Sequence, residues 1–502
     1  MTEAQMNVGD TSPPLYRGDD APRPLPFPGI VTASHYVMPN FATMDWHRVT
    51  PEQVEANIRS LGDPGDALNE EIMLYVHVPY CKSFCHYCNF NRYHYPRQDE
   101  ERLERYTDYL IKEIDWYLRQ PYVQARRFTA IYVGGGSPST LPLGALDRLS
   151  SHLAKVVPGY DRIEKSFTGE PRTLRRPGMI QLLKDHGWNR ITFGIETLDP
   201  VIHRKIGRLD TREDVDSVFD QIRGLGVDAE TCVDIMFDLP GQTLDGFAAE
   251  LTELVETYDP AEIDAFSTIY LPYRPLHKMI MDGRVEQPGS AWQLIAMREH
   301  LYDFLLSRGY HNTIAETYSK NPLRSQYQTA HCARQDIIGV GCAARGNVKD
   351  MVSINPDKVD DWQDNIDRRG ISSETLQSIG RDGVLDRIMV MFPRYKELAK
   401  DLLDRFVDLP DHERVLGVLA EHVAAGVVEE EADRYVVNKL GVLWHANLQT
   451  DYLRHTLNAN GEQIMAHLTE ASSNFDNVNR FSVTPQTVYI KEHDAEFPRL
   501  MK

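Results

Sequence analysis

The sequence feature that most constrains this chain is a group of three cysteines, Cys81, Cys85 and Cys88, in the spacing CxxxCxxC. Three thiolates from one short loop suit a [4Fe-4S] cluster whose fourth iron has no protein ligand. Such an iron is free to bind a small molecule, and chemistry that uses it is redox or radical chemistry. A zinc site normally takes a fourth Cys or His from a second knuckle with CxxC spacing. The spacing therefore favours the iron–sulfur cluster.

The segments around this loop indicate a bound ligand with an aromatic base. Residues 74–78 predict a short apolar strand, on which Tyr75 is a candidate ligand contact. Tyr87 precedes the third cysteine, where its ring is placed to stack on a purine. A second predicted strand runs into three glycines and a serine, which let backbone groups approach a ligand closely because no Cβ intervenes. These residues are Gly134, Gly135, Gly136 and Ser137.

Strand-like and helix-like patterns then alternate along the chain. We expect strands at residues 72–78, 129–135, 163–169, 190–196, 229–237 and 263–271. We expect helices near residues 100–118, 143–156, 178–187, 211–225, 244–257 and 291–308. Alternation of this kind predicts an α/β fold with a parallel sheet, and six units suit a partial, open (β/α)6 barrel. Chemistry in such barrels gathers where the strands end.

Four parts of the chain are predicted. Residues 1–70 form an N-terminal arm rich in Pro, Gly and Asp at its start, and residues 71–320 form the barrel. Residues 321–395 are an extension with a late glycine loop. Residues 396–502 form a small winged-helix-like domain and a tail. A winged helix often binds DNA, but acidic residues 429–431 on its hairpin favour a substrate lid or a partner surface.

Composition agrees with an enzyme that is not bound to membranes or nucleic acid. The chain has 502 residues, 42% of them hydrophobic, and a net charge of −20, which would repel phosphates. No segment approaches the ~18 consecutive apolar residues of a membrane span. No signal peptide is visible at the N-terminus, and a reducing environment suits the cluster thiolates. We therefore expect a cytoplasmic location.

The motifs together resemble the radical S-adenosylmethionine (SAM) superfamily, in the branch named for oxygen-independent coproporphyrinogen III oxidase. The resemblance covers roughly residues 70 to 450. It rests on the cysteine loop, the Gly134–Gly136 turn and further motifs in fixed order. These are residues 190–196 (RITFGIE), 207–208 (GR), 234–243 (DIMFDLPGQT) and 339–344 (GVGCAA).

The resemblance implies a [4Fe-4S] cluster and two SAM molecules. It implies that Gly135, Gly136 and Ser137 hold the amino end of the first SAM and that Arg208 pairs with a carboxylate. Asp234 and Glu196 would then address ribose hydroxyls or amino groups. Acidic side chains suit a ligand with sulfonium and ammonium charges. The alternative is that Asp234 and Arg208 only form salt bridges at the barrel end.

The sequence departs from the branch at two positions. The branch usually has Gln where Glu196 stands and Glu where Thr168 stands. Glu170 lies two residues after Thr168, on the same face of the predicted strand, and is a candidate replacement.

Three functions are compatible with the branch. The decarboxylase that names it has a further cysteine just past the cluster loop, where this chain has Asn89-Phe90. The haem-trafficking chaperones have a His-Asn-x-x-Tyr-Trp motif, which is missing from residues 324–334. Those absences, the long arm and residues 392–395 (FPRY) favour a class C radical SAM methyltransferase. It would transfer a one-carbon unit from the second SAM to an sp2 carbon, in some cases forming a cyclopropane.

The methyltransferase reaction needs a base and an acceptor. Tyr318, His331 and Glu316 follow the predicted barrel and are candidate bases, and Arg345 is a candidate contact to the second SAM. By elimination, we expect the acceptor to be a small molecule, such as a natural product, and not nucleic acid. Reductive SAM cleavage also requires an electron donor such as a flavodoxin or ferredoxin.

Overall fold

The computed structural model describes residues 49–65, 69–82, 84–88, 93–94, 99–227, 230–268, 270, 274–289, 291–321, 336–373 and 375–454. The predictions for most of the N-terminal arm, for His331 and for the C-terminal tail fall outside these ranges.

A large sheet forms the centre of the fold. Its strands, with the short pair β2 and β3, are β1 (Glu71–Val78), β2 (Tyr80–Cys81), β3 (Tyr93–His94), β4 (Arg127–Gly135), β5 (Glu164–Gly169), β6 (Arg190–Glu196), β7 (Glu230–Phe237), β8 (Glu262–Ser267), β9 (His311–Ile314), β10 (Thr317–Ser319), β11 (Asp336–Val340), β12 (Arg345–Val348), β13 (Met351–Ile354) and β14 (Gln377–Ser378).

The topology of the sheet confirms the predicted partial barrel. Strands β1, β4, β5, β6, β7 and β8 are neighbours in that order, and each pair is parallel. Strand β11 adds a further parallel strand beside β1. Antiparallel strands continue the sheet beyond β8 and beyond β11, so the barrel is open. The carboxyl ends of all six predicted strands therefore meet at one edge, which we call the upper edge.

Helices cover the outer face of this sheet. They are α1 (Pro51–Ser60), α2 (Glu100–Leu118), α3 (Pro121–Gln124), α4 (Leu143–Val156), α5 (Pro171–Leu174), α6 (Met179–Asp185), α7 (Pro200–Lys205), α8 (Arg212–Gly224), α9 (Leu244–Tyr258), α10 (Pro275–Met281), α11 (Ala291–Ser307) and α12 (Val359–Arg369), with 3₁₀ turns at Pro138–Thr140 and Tyr160–Arg162. Thr50 and Thr211 begin α1 and α8 with capping boxes, which fix where these helices start. None of the helices that the structure describes has the length and apolar character that crossing a membrane requires.

The C-terminal part has a hydrophobic core of its own. Its elements are α13 (Gly380–Tyr395), β15 (Glu397–Ala399), α14 (Lys400–Asp404), α15 (His412–Ala424), β16 (Val428–Glu430), β17 (Arg434–Val437), α16 (Lys439–Leu443) and α17 (His445–Arg454). Helix α13, which lies within the extension predicted for residues 321–395, supplies Leu385 and Phe392 to this core. The unit therefore starts earlier than predicted. Residues 392–395 form the last turn of that helix.

The lower end of the barrel is closed by buried charges. Arg190, at the start of β6, forms an ion pair with Glu262 and lies 3.5 Å from Asp264. Thr317 and Cys232 also donate hydrogen bonds to Asp264. The carboxylates of Glu262 and Asp264 lie close enough to the Cys232 thiol to resemble a metal site, but Arg190 already neutralises them. This network separates the barrel interior from solvent below.

Candidate cluster and SAM site

The cysteine loop begins directly after the first barrel strand. Cys81 lies on β2, three residues beyond the end of β1. The backbone N–H groups of Gly136 and Ser137 donate to the carbonyls of Val78 (2.8 Å) and Tyr80 (2.7 Å). The turn after β4 therefore holds the entrance of the loop in place.

His86 fixes the middle of the loop to two helices. Its N–H donates to the Ile206 carbonyl at 2.8 Å, and its ring Nδ1 lies 2.9 Å from the Lys205 carbonyl at the end of α7. Its own carbonyl accepts from Leu276 N–H on α10 at 3.0 Å. Gly207 has φ of +78°, and a Cβ there would lie 2.8 Å from the His86 ring. The loop is thus held from both sides.

The three thiols converge, as a shared cluster requires. Burial raises the pKa of Cys81, and the neighbouring Cys88 and Cys85 thiols raise it further. Burial also raises the pKa of Cys85 to about 12, although the Arg208 guanidinium opposes this shift. Thiols that raise one another's pKa lie close together, and a metal centre would take them as thiolates. The three donors and the adjacent cation therefore fit a [4Fe-4S] cluster with one open iron.

Arg208 lies at the centre of the polar contacts beside the loop. Its Nη1 is 3.8 Å from the Cys85 sulfur, and its Nη2 donates to the Gly194 carbonyl at 2.6 Å. The same side chain lies 2.6 Å from Asp210 and 3.5 Å from Glu196. The structure thus shows the ion pairs that were the alternative to cofactor binding. It also brings this cation beside the cysteines, where it would stabilise thiolate charge.

Glu196 and Asp234 extend these charges into the barrel. Glu196 ends β6 with φ of +63°, and a Cβ on Gly194 would lie 2.4 Å from its carboxylate. Burial raises the pKa of Glu196, although Arg208 and a hydrogen bond from Tyr87 lower it. Burial, Asp264 and Glu196 raise the pKa of Asp234. The predicted pair of acids therefore faces one interior space, and Tyr87 binds Glu196 through its hydroxyl.

The predicted glycines are needed first for packing within the protein. A Cβ on Gly134 would lie 2.3 Å from the Tyr132 ring. Gly135 has φ of +107°, and a Cβ there would lie 2.7 Å from the His77 ring. A Cβ on Gly136 would lie 2.8 Å from the Tyr80 carbonyl oxygen. The glycine turn thus lets the barrel wall and the cysteine loop approach each other.

Glu170 reaches the cysteine loop from the end of β5. Its carboxylate is among the charges that raise the pKa of Cys81, so it lies near that sulfur. Its backbone N–H donates to the Ser137 hydroxyl at 3.2 Å. Thr168, on the same strand, instead donates to the Tyr132 hydroxyl at 2.7 Å. A carboxylate therefore lies near the cysteine loop two residues after position 168, and its replacement of the usual Glu as a SAM contact stays a prediction.

Tyr75, His77 and Tyr132 form an aromatic wall on β1 and β4, and only Tyr75 was predicted. The Tyr75 hydroxyl lies 2.7 Å from His77 Nδ1, and the Tyr75 and Tyr132 rings are 6.0 Å apart. Burial raises the pKa of Tyr75, and Arg345 opposes that shift, so Arg345 lies on this side of the barrel. Side chains two residues apart on a strand share a face, so the position of Tyr75 would have identified His77 as a second member of the wall. Tyr132 stands beside Tyr75 on the neighbouring strand.

The late glycine loop is held by a carboxylate that the sequence did not reveal. Glu113 on α2 is fully buried and accepts from Gly341 N–H (2.8 Å) and Trp362 Nε1 (2.9 Å). Ser372 donates to it from its backbone N–H at 3.1 Å. Gly341 packs against the His77 carbonyl, where a Cβ would lie 2.3 Å away. Glu113 therefore positions the loop beside the last turn of β1.

Two of the three predicted bases lie away from this space. Glu316 accepts from Arg394 Nε at 2.9 Å and lies 3.1 Å from His445 Nε2, so it joins the barrel to the C-terminal unit. Tyr318 is fully buried in the main hydrophobic core, because it points away from the face on which Thr317 contacts Asp264. Neither side chain is placed to take a proton at the cysteine loop. His331 lies outside the described residues.

Comparison with known proteins agrees with this geometry. Residues 75–254 match the family described as "Radical SAM superfamily". The chain is 27% identical over 319 residues to the "Heme chaperone HemW" of Bacillus subtilis, covering 63% of this chain and 82% of that protein. It is 26% identical over 374 residues to the "Oxygen-independent coproporphyrinogen III oxidase" of Pseudomonas aeruginosa, covering 68% and 78%.

A solved structure shows that the fold is shared. Coproporphyrinogen III oxidase (HemN) from Escherichia coli aligns with a TM-score of 0.67 and 20% identity, covering 80% of this chain and 93% of that chain. The match extends beyond residues 75–254 and therefore includes more than the barrel. Residues 75–254 are thus similar to the radical SAM superfamily, and the proteins that the chain resembles over a longer stretch include a HemW haem chaperone and an oxygen-independent coproporphyrinogen III oxidase.

Proposed function

We propose that this protein is a radical SAM enzyme whose substrate is a tetrapyrrole. The observation that carries the radical chemistry is the convergence of Cys81, Cys85 and Cys88 beside the buried Arg208. The relatives support the substrate class, because haem and coproporphyrinogen III, named in their descriptions, are both tetrapyrroles. This substrate differs from the natural product that the sequence alone suggested.

The residues of the upper edge suit a SAM molecule. When bound, the cluster and SAM supply a 5′-deoxyadenosyl radical, which removes a hydrogen atom from an unactivated carbon. Burial raises the pKa of Glu196 and of Asp234, and the ammonium and sulfonium groups of a bound SAM would favour the charged form of both carboxyl groups. Arg208 offers a guanidinium to the SAM carboxylate, and Glu170 is a further acidic contact near Cys81.

A second candidate function is one-carbon transfer from a second SAM. The sequence feature that favours it is Asn89-Phe90, which stands where the decarboxylase has a further cysteine. Arg345 lies near Tyr75, whose pKa it lowers, and is the residue we assign to the carboxylate of the second SAM. Both functions use the same cysteine loop, so the experiment must separate them by product.

The test is anaerobic turnover with SAM deuterated on its methyl group. The reduced enzyme is supplied separately with coproporphyrinogen III and with haem. Unlabelled 5′-deoxyadenosine together with a changed tetrapyrrole supports the main proposal. Deuterated 5′-deoxyadenosine makes the second SAM the hydrogen donor and supports one-carbon transfer. No SAM cleavage in the presence of an intact cluster contradicts both and leaves a binding protein, as in the haem chaperones.

Two variants control for the cluster. Replacing Cys85 by alanine removes one of the three thiols, and we expect iron content and SAM cleavage to fall to background. Replacing Cys342 by alanine removes a buried thiol that is not in the cysteine loop, and we expect full iron content. Loss of iron in both variants, or in neither, would contradict the assignment of the cluster ligands.

A further inference from the structure

Glu196 stands at the centre of a tight turn that directs its side chain. The Thr197 N–H donates to the Ile195 carbonyl at 2.8 Å, and Glu196 between them has φ of +63°. A hydrogen bond from residue i+2 to residue i, with positive φ at the central residue, is characteristic of the classic γ-turn, which is rare and strained. The pairing of β6 with β7 also shifts register here. The backbone therefore leaves the regular strand at the residue whose carboxylate lies 3.5 Å from Arg208.

A carboxylate on helix α9 holds the residues that follow this turn. Glu250 Oε2 accepts hydrogen bonds from the Thr197 hydroxyl and from the Leu198 N–H, the second of them at 2.9 Å. The Thr197 hydroxyl in turn accepts from the Asp199 N–H at 3.1 Å. Three successive residues after Glu196 are thus fixed, directly or through one hydroxyl, by a single side chain from another element.

The turn after β7 orients Glu250. Gln242 Nε2 donates to Glu250 Oε1 at 3.5 Å, and Gln242 Oε1 accepts from the Leu239 N–H at 3.2 Å. Gln293 on α11 holds this turn from outside by donating to the Gln242 carbonyl at 2.9 Å. Leu239 and Gln242 belong to the motif at residues 234–243, whose second half has no role in the SAM contacts proposed above. The hydrogen bonds assign that part of the motif to the support of Glu250.

A carboxylate suits this position because one side chain must accept several hydrogen bonds at once. Burial raises the pKa of Glu250, and the hydrogen bonds that it accepts oppose this shift. Hydrogen bonds to an ionised acceptor are stronger than those between neutral groups. A strained backbone conformation persists only where its surroundings hold it. The contacts of Glu250 therefore supply what the γ-turn at Glu196 requires.

The next acid on the same face of α9 has different contacts. Glu253 lies 2.7 Å from Arg212 on α8, and the two side chains are 49% and 40% exposed. An exposed pair of this kind contributes little to stability. Glu250 thus contacts the end of a barrel strand, whereas Glu253 contacts a neighbouring helix at the surface.

We propose that Glu250 is a positioning residue for SAM, which acts by holding the γ-turn that keeps the Glu196 carboxylate beside Arg208. The inference deepens the proposed function and rests on it, because that function assigns Glu196 to SAM. Without the carboxylate at position 250, the turn would relax toward a regular strand, in which successive side chains alternate between the two faces. The Glu196 carboxylate would then leave Arg208, and SAM would lose an acidic contact.

The test is a double-mutant cycle between positions 250 and 196 in the cluster-loaded enzyme. The variants are Glu250→Ala, Glu196→Ala and the two combined, with Glu250→Gln as the conservative replacement. Glu253→Ala is the matched control on the same helix. The dissociation constant for radiolabelled SAM is measured by anaerobic equilibrium dialysis of the unreduced enzyme, so that no SAM is cleaved. Iron content and the urea denaturation midpoint are measured for every variant.

We expect Glu250→Ala to bind SAM about tenfold more weakly than the wild type with unchanged iron content, because buried donors lose their acceptor. Glu250→Gln should lose about threefold or less, since its amide oxygen can still accept from Thr197 and Leu198. Glu253→Ala should change less than about twofold. In the Glu196→Ala background, Glu250→Ala should weaken binding less than about twofold further, because two residues that act through one contact are not additive.

Wild-type affinity in Glu250→Ala or in Glu196→Ala would overturn the proposal. So would a full further loss in the double variant, equal losses in Glu250→Ala and Glu253→Ala, or loss of iron in Glu250→Ala. If Glu250→Ala does not fold, Thr197→Val takes its place in the cycle, since it removes one donor to Glu250 and is expected to weaken SAM binding about threefold. Wild-type affinity in Thr197→Val would then overturn the proposal. A wild-type enzyme with an intact cluster that binds no SAM would instead refute the proposed function.

Discussion

Replacing Glu316 by glutamine tests whether this carboxylate is structural, as its contacts indicate. Glu316 is 8% exposed and lies between Arg394, which is 4% exposed, and His445, which is 1% exposed. The amide of the variant can still accept one hydrogen bond, but it carries no charge. The Arg394 guanidinium would then be buried without the carboxylate that pairs with it.

The size of the effect follows from burial. Removing one partner of a buried ion pair costs about 3–5 kcal/mol, because the remaining charge stays in a poorly solvated place. An exposed pair of the same chemistry contributes less than about 1 kcal/mol. Glu253 and Arg212 provide such a pair, with 2.7 Å between the charged atoms and side chains that are 49% and 40% exposed. Glu253→Gln is therefore the matched control.

The assay is urea denaturation of both variants, followed by far-ultraviolet circular dichroism and by tryptophan fluorescence, to which Trp444, next to His445, contributes. We expect a lower transition midpoint for Glu316→Gln and almost none of this change for Glu253→Gln. We also expect Glu316→Gln to bind iron and cleave SAM below its unfolding transition. Wild-type stability with a large loss of turnover would refute the structural role and restore Glu316 as a catalytic base.

The pH dependence of stability tests the same interaction between Glu316 and its two basic partners. Burial raises the pKa of Glu316, but Arg394 and His445 together outweigh burial and lower the pKa below its usual value of 4.5. A carboxylate with a lowered pKa stabilises the fold above its unfolded pKa, and this stabilisation is lost as the pH falls toward the folded value. The difference in unfolding free energy between wild type and Glu316→Gln should therefore be full at pH 7 and shrink below about pH 4.5.

Two other substitutions test the support of the cysteine loop. Gly135→Ala should lower stability by about 1–3 kcal/mol and reduce iron content, because φ is +107° and the new Cβ would meet the His77 ring. Gly159→Ala, with φ of +75° and nothing within 4 Å, should show a smaller loss and full iron content. Glu113→Ala should cost about 3 kcal/mol or more, since it leaves several buried donors unsatisfied, among them Trp362 Nε1. Denaturation midpoints with iron analysis test all three, and unchanged values for Gly135→Ala or Glu113→Ala would show that these contacts do not support the loop.

The regular parts of the barrel were predictable from the sequence. Helices α2 and α4 begin and end where their patterns do, at residues 100–118 and 143–156. Their apolar faces repeat every three to four residues, and Asp99 caps the first of them. Parallel strands follow from the alternation with helices, so the place of the cysteine loop at the end of β1 also followed. The local hydrophobic pattern was sufficient to predict these elements because their buried residues recur at a regular spacing.

The contacts that hold the site were not predictable in this way. The helical period places Glu113 on the buried face of α2 with Leu110 and Tyr117, but Glu113 and Gly341 are 228 residues apart, and the sequence does not show that they pair. The positions of Glu316 and Tyr318 away from the cysteine loop were not predictable for a related reason. A sequence shows that polar residues follow a strand, but not which face they occupy or whether Arg394 already occupies a carboxylate. Contacts between residues that are far apart in the sequence decide which face a side chain occupies and whether a carboxylate is already paired.

Backbone strain marks the same edge of the barrel that the cysteine loop occupies. Among the described residues with positive φ that are not glycine, Asp259 and Lys396 cap helices, which is a common use of this conformation. Glu196 and Asp238 instead stand at the carboxyl ends of β6 and β7, and Ala343 lies in the late glycine loop. Each costs of the order of 1–3 kcal/mol relative to relaxed backbone and persists because its neighbours hold it. Glu196, which departs from the usual residue of the branch, thus stands at a position that the fold holds under strain, and its carboxylate is aimed at Arg208. A buried, strained carboxyl group beside three thiols is not needed for a stable barrel, whereas it suits a site for a cationic cofactor.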